Sequence, residues 1–552
     1  MKLPGLLGPV FAYEWLATSR RWQMYATRSA IVALLGIGLA FVWWRYVPGY
    51  APTIRSLSSA GQFFFNALIG IQLVIVLLVA PAATAGAMGG DKARGELLQL
   101  LTTDLSSAEI ILGKLGARMA PVLGLLGCSL PVLFAAVLLG GVSPEALLGA
   151  YAVLLGLAVV GCSLALLLSL WGTTAHEVLL AIYFLWAFVF LLPFMWAIVQ
   201  GYGWLPGMPL WLDDIDPLRM TFLSYFSPGS PFLEDQTAYL VGCLALSVAL
   251  VLYAVASVRR AVIRNSSAPV WRKTARWLNW SSRLPGPSLD SHPVLWREWR
   301  RRPSRWIRCV WLAYTLLALL FSVLAAAERL KSTAYIAMPP LVNGIQVFAG
   351  LLLVSVAASA GLAEERSRGG LETLLVTPLS TRSIVWGKWW GAFRSVPGLI
   401  VLPVLVASFC AYQSGSWMPV ILLAFMILAF GAALASLGVA LATWLSRPGW
   451  ALTWCVGMYV FNTLGWMLLT VMFFKGRSEV VGSASPFWSA AILTACCERD
   501  GFLSGDLWYA LGWNLAWFVV YAIVAALLQC WTLRNFNRRL GRMEEGSKKK
   551  TA

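Results

Sequence analysis

The chain has 552 residues, 59% of them hydrophobic and only 12% charged, and its mean hydropathy is +0.74. A soluble globular protein carries about 25% charged residues, so a large water-soluble core is excluded. The net charge of +18 sits beside the apolar runs, which points to anionic lipid headgroups and away from nucleic acid.

The N-terminal segment holds Glu14, Trp15, Arg21 and Trp22 just before the first apolar run. The first apolar run begins near Ser29, after Arg20, Arg21 and Arg28, so it reads as a true span and not a cleavable signal peptide. Runs of 18 or more uncharged residues are long enough to cross roughly 30 Å of hydrocarbon. Six spans are predicted in the first half, near 29–45, 62–88, 115–140, 146–171, 177–200 and 237–258. A basic, Trp-rich and then Pro/Ser-rich linker follows. Six more spans are predicted near 309–327, 338–363, 391–412, 417–445, 450–474 and 508–531. The expected domains are a six-span half over 1–265, a cytoplasmic linker over 266–296, a second six-span half over 297–536 and a basic tail over 537–552.

With the N-terminus placed in the cytoplasm, most of the 42 Lys and Arg fall on the cytoplasmic side, the positive-inside pattern. The expectation is a multi-pass protein of the cell (inner) membrane with both termini cytoplasmic. No Lys, Arg, Asp or Glu falls deep inside a predicted span, which argues against a proton- or ion-coupled carrier. The nine cysteines show no disulfide framework, Cys496-Cys497 reads as a loop pair, and His176 and His292 stand far apart, so no metal site is expected.

The two halves repeat each other. One constant spacing of 274 residues pairs Gly113-Lys114 with Gly387-Lys388, Arg94-Gly95 with Arg368-Gly369, Leu100-Leu101 with Leu374-Leu375, and Gly70-Ile71-Gln72 with Gly344-Ile345-Gln346. Glu14-Trp15 with Arg21-Trp22 matches Glu298-Trp299 with Arg305-Trp306, and Ser230-Pro231-Phe232 matches Ser485-Pro486-Phe487. Six spans per half give two parallel repeats.

Between spans 2 and 3 of each half stands a charged, Gly-broken segment of about 25 residues, longer than a plain connection needs. Leu97, Leu100 and Leu101, like Leu371, Leu374 and Leu375, follow the i, i+3, i+4 spacing of a short amphipathic helix. Ser106 with Glu109 forms a capping box for the next helix, whereas Ser380 is followed by Ser383 and lacks the reciprocal carboxylate. Two readings stand here: a loop whose Arg and Lys anchor the membrane, or a platform for a soluble partner.

The stretch ERSRGGLETLLVTPLSTRSIVWGK, Glu365 to Lys388, resembles the signature of ABC-2-type transporter permeases. The motif is fuller in the second half; in the first, Leu98 stands where Glu372 does and Asp104 where Pro378 does. The resemblance implies an all-α polytopic membrane protein of about twelve transmembrane helices, similar to type V exporters. Each cytoplasmic helix would be a coupling helix seated on an ABC ATPase subunit, two copies in all. Its contact residues would be Asp91, Arg94, Glu96, Leu100 and Leu101 in the first half, and Glu364, Glu365, Arg366, Arg368, Glu372, Leu374 and Leu375 in the second. Glu14, Trp15, Arg21, Trp22, Glu298, Trp299, Arg305 and Trp306 would belong to interfacial helices against membrane lipid. No G-x-x-x-x-G-K-[ST] occurs, since Lys114 precedes Leu115 and Lys388 precedes Trp389. No cofactor is expected on this chain, and no catalytic set is legible; ATP and Mg would belong to the partner.

Asn66, Gln72, Asn343 and Gln346 are polar groups at membrane depth. They line a substrate path or hydrogen-bond between helices. Trp211, Asp213, Asp214, Asp216 and Tyr225, with Trp488, Glu498 and Asp500, form either an exit lid or plain outer loops. A secondary carrier with parallel repeats and a membrane scaffold for maturation of another protein are the alternative functions.

Overall fold

A computed structural model describes residues 8–20, 22–46, 53–94, 96–138, 140–172, 174–201, 209–222, 232–266, 289, 292–300, 305–330, 338–367, 370–445, 448–466, 470, 481–498 and 505–541. All regular structure among these residues is helical. Among the described residues nine helices are long and apolar enough to cross a membrane, so the all-α, multi-pass expectation holds. Of the other three predicted spans, 29–45 and 177–200 keep shorter apolar stretches at Ile31–Ala40 and Ala175–Phe190. The third, 450–474, runs as an α-helix to Val460, turns through a π-helical Phe461–Gly465, and lies in part outside the described residues.

The chain divides into two compact units, Met1–Pro269 and Val270–Ala552. The first holds α1 (Gly8–Ser19), α2 (Trp22–Tyr46), α3 (Ile54–Thr84), α4 (Gly89–Arg94), α5 (Glu96–Leu101), α6 (Ser107–Leu138), α7 (Pro144–Trp171), α8 (Ala175–Gly201), α9 (Leu210–Ile215), α10 (Pro217–Thr221) and α11 (Phe232–Ser266). At its centre lies α7, apolar all round and packed on α3, α6, α8, α10 and α11, as a helix without a polar face must be. Ser143 caps it, with Pro144 at its first position. Gly149 and Gly156 let α11 approach closely: a Cβ at either would strike Gln236 or Cys243. Lipid supplies no hydrophobic drive between helices, so such close packing carries the association.

The second unit holds α12 (Pro293–Arg300), α13 (Arg305–Leu330), α14 (Met338–Ser367), α15 (Gly370–Val376), α16 (Thr381–Phe393), α17 (Val396–Ser414), α18 (Met418–Trp444), α19 (Pro448–Val460), α20 (Pro486–Glu498) and α21 (Gly505–Leu540). Helices α14 and α18 form its core, and Gly438 of α18 lies where a Cβ would fall 2.6 Å from Ala358 of α14. The span predicted over 391–412 starts earlier. Ser380 caps α16, its Oγ accepting the Ser383 N–H at 3.2 Å, and the helix breaks only at Arg394-Ser395 before Pro397. Residues 486–498, expected as an outer loop, are helix α20, packed on α14, α17 and α18 with Cys496 and Cys497 buried. Its apolar run has no internal breaker after Pro486. The repeat glycines each face a phenylalanine, Gly344 against Phe487 and Gly70 against Phe222. In the first unit Leu210–Ile215 and Pro217–Thr221 are likewise helical; Tyr225 and Asp500 lie outside the described residues.

Candidate functional site

In the second unit, three helices bring their charges to one buried point. Glu365 stands near the end of α14, Lys388 two turns into α16, and Glu298 on α12. Lys388 Nζ donates to Glu298 Oε1 and pairs with Glu365 Oε1 at 2.7 Å, while Arg297 reaches the same Glu365 oxygen at 3.0 Å. The side chains of Lys388, Glu298 and Glu365 are 4%, 10% and 7% exposed. Two acids and two bases balance, which such a desolvated cluster requires. Glycines make room for it: a Cβ at Gly387 would come within 2.7 Å of Val294, and one at Gly391 within 3.1 Å of Glu298. Arg394 completes the seat of α12 by donating to the carbonyls of Glu298 and Trp299 at its C-terminal end.

The short helix α15 rests on this cluster. Leu371 and Leu374 are buried with Val294, Leu362, Ile384 and Phe536, and Leu375 packs against them. The helix presents Glu372, Thr373 and Val376 outward, the last 87% exposed. Arg366 points inward and donates to the carbonyls of Thr443 and Leu445, the free C-terminal acceptors of α18. Of the residues expected to touch a partner, Glu365, Leu374 and Arg366 are therefore turned into the unit, and Glu372 is turned out. Arg368 and the side chains of Glu364, Arg305 and Trp306 lie outside the described residues; Trp299 is half-buried on α12.

The first unit repeats the arrangement. Lys114 of α6 pairs with Glu14 of α1 at 2.8 Å and with Asp91 of α4 at 2.5 Å, and Arg118 pairs with Glu14 at 2.9 Å. Burial alone would raise the Glu14 carboxyl, but Arg118 and Lys114 outweigh it and hold it below the usual carboxylate range. The predicted capping box forms, Ser106 Oγ accepting the Glu109 N–H at 3.2 Å and Glu109 accepting the Ser106 N–H at 2.8 Å. On α5, Leu97 is buried, Leu100 and Leu101 are half-buried, and Glu96, Leu98 and Gln99 are exposed. Beside it, burial pushes the Lys92 amine down to about 8, and that amine donates to the Leu170 carbonyl at the end of α7. Trp15 stacks on Phe11 within α1; Arg21 and the side chains of Trp22 and Arg94 lie outside the described residues.

The pattern a Gly-Lys pair, a Glu-Trp pair and an acid ahead of the short amphipathic helix make is thus one ion-paired clamp, formed within each unit. Residues 294–539 match the family described as ABC-2 family transporter protein. The second unit is similar to this family along most of its length. No curated protein matches the chain. The match begins at Val294, inside α12, and ends at Arg539 on α21, so it takes in the clamp, α15 and every helix packed around them. The match supports a permease component of an ABC transporter, in keeping with the membrane-crossing helices.

Inside the second unit the candidate path residues turn inward too. Asn343 donates from its amide to the Pro403 carbonyl at 3.0 Å and to Thr494 at 2.8 Å, and Gln346 donates to Ala318 and Ser322. They tie α14 to α13, α17 and α20, the interhelical role. In the first unit Gln72 reaches the Tyr151 hydroxyl at 3.4 Å, and Asn66 is half-buried on α3. The short α20 escaped sequence reading because it is too short for a span and too apolar for a loop. The pairing of Asp91 with Lys114 and Glu365 with Lys388 was legible in principle, since opposite charges recur at matched repeat positions.

Proposed function

We propose that the chain is the membrane permease of an ATP-driven exporter, its two units acting as tandem copies of one domain. ABC ATPase subunits, one per coupling segment, hydrolyse ATP with Mg in trans, and their motion rocks the units to move a substrate outward. The chain lies in the inner membrane with both termini and both coupling segments in the cytoplasm. The observation that supports this reading is mechanical: α15 packs through Leu371 and Leu374 on α12, α14 and α16, which the clamp ties together, so a push on its exposed face moves those three helices as one. A segment that only anchored the chain to lipid would need no such lock.

The test is capture of partners from a native membrane extract by the tagged full chain. A Walker-type ATPase should be retained, and Glu372→Lys with Val376→Asp should reduce its retention on the order of tenfold, the usual effect of spoiling a central contact, without lowering the melting temperature. Failure to recover any ATPase, or recovery equal between wild type and variant, would sink the proposal.

A further inference from the structure

The end of α21 carries a feature that the transport reading does not use. A cavity of about 370 Å³ is lined by Asn535, Arg538 and Arg539. We propose that it holds the headgroup phosphate of an anionic phospholipid whose headgroup carries a free hydroxyl.

Three observations converge. Arg538 and Arg539 are adjacent and exposed in the last turn of α21, with Arg534 one turn earlier, and no described carboxylate pairs with them. Among the described residues this cation pair has no counter-charge, and guanidinium suits a phosphate oxygen in fork geometry. The depth is that of a headgroup: Trp444 and Trp531 lie with ring centroids 3.7 Å apart, and the Arg539 guanidinium sits 5.5 Å over Trp444. Exposed Trp side chains mark the membrane–water boundary. Asn535 then adds discrimination. It donates an amide N–H to the Trp531 carbonyl at 2.9 Å, which leaves its Oδ1 as an acceptor for a hydroxyl. A phosphoglycerol headgroup offers that hydroxyl, and phosphocholine does not.

The site backs onto the seat of α15. Phe536 lies in the buried cluster of Leu371 and Leu374, Leu533 and Leu540 pack against it, and Thr381 donates to Asn537 at 2.8 Å. A bound headgroup pins the turn on which that cluster rests.

Full-length protein in neutral detergent is titrated with phosphatidylglycerol, phosphatidylcholine or inorganic phosphate, read by native mass spectrometry and by thermal shift. Phosphatidylglycerol should bind and raise the melting temperature, and phosphatidylcholine should do neither. Arg538→Gln with Arg539→Gln should weaken phosphatidylglycerol binding about thirtyfold, from the contribution of two arginines near an anionic surface. Either single variant should show part of that loss, and the Lys pair should retain more than the Gln pair. Equal binding by wild type and the Gln pair, or equal binding of both lipids, would overturn the site. Inorganic phosphate reproducing the full shift would overturn the lipid as occupant.

Discussion

Lys388→Met is the most direct perturbation of the clamp. The change keeps most of the length of the side chain and removes its charge, leaving Glu298 and Glu365 buried together with Arg297, whose side chain is 56% exposed, as the one described ion-pair partner to offset them. Breaking a buried ion pair by removing one partner costs about 3–5 kcal/mol. Two carboxylates left facing each other without the ammonium between them add repulsion of a few kcal/mol, on the order of that between charges ~4 Å apart at an effective dielectric near 20. A loss of that size lowers the melting temperature of a unit this large by on the order of 10 °C. Thermal unfolding of the purified chain in neutral detergent, followed by tryptophan fluorescence, reads it. The uncharged triple variant, Lys388→Met with Glu298→Gln and Glu365→Gln, should recover most of the loss, because the burial penalty leaves with the charges. A single variant melting within about 1 °C of wild type, or no recovery in the triple variant, would refute the claim that this cluster holds α12, α14 and α16 together.

Two further outcomes follow from the packing and the charges. Glu14 has a carboxyl held below its ordinary value, so its contribution is present above the unfolded-state value of about 4.5. It is lost as the pH falls through the lower, folded-state value, and Glu14→Gln should flatten that acid limb of the melting temperature while lowering stability near neutrality. Gly438→Ala drives a methyl to 2.6 Å from Ala358 and should cost about 1–3 kcal/mol. Gly361→Ala on α14, where nothing lies within 4 Å, should instead gain up to about 1 kcal/mol; paired melting curves separate the two.

The membrane character, most helix positions and the short helices α5 and α15 were legible because apolar length and i, i+3, i+4 spacing are local properties. Leu371 and Leu374 illustrate the limit. Their spacing identifies a buried face, but it does not say whether a partner or the unit itself covers it. Here Phe536, more than 150 residues away in sequence, does. Glu365 was harder still. An acid beside an amphipathic helix reads as a surface contact, and only the approach of Lys388 across the α14–α16 turn shows it to be internal. Residues 486–498 failed for a different reason: hydropathy measures burial, and a 13-residue buried helix inside a domain has no length signature of its own.

The two clamps differ in a way that argues for selection on the cluster itself. Glu, Lys and the acid recur in both units, yet the fourth charge changes place. In the first unit it is Arg118, which binds Glu14; the matched position in the second is Ala392. In the second unit it is Arg297, which binds Glu365; the matched position in the first is Tyr13. Each unit thus reaches two acids and two bases by a different route. Simple inheritance of a motif would have kept the residues, and simple drift would have left one cluster unbalanced by a whole buried charge. Balance persists because an unpaired charge at this depth costs several kcal/mol. Moving the second unit's solution into the first should therefore be tolerated: Tyr13, 78% exposed, accepts an Arg without overpacking, and Tyr13→Arg with Arg118→Ala moves the second base from Glu14 to Asp91. The swapped chain should melt above Arg118→Ala alone, and a swap no better than the single variant would show that position, and not charge balance, is what the cluster demands.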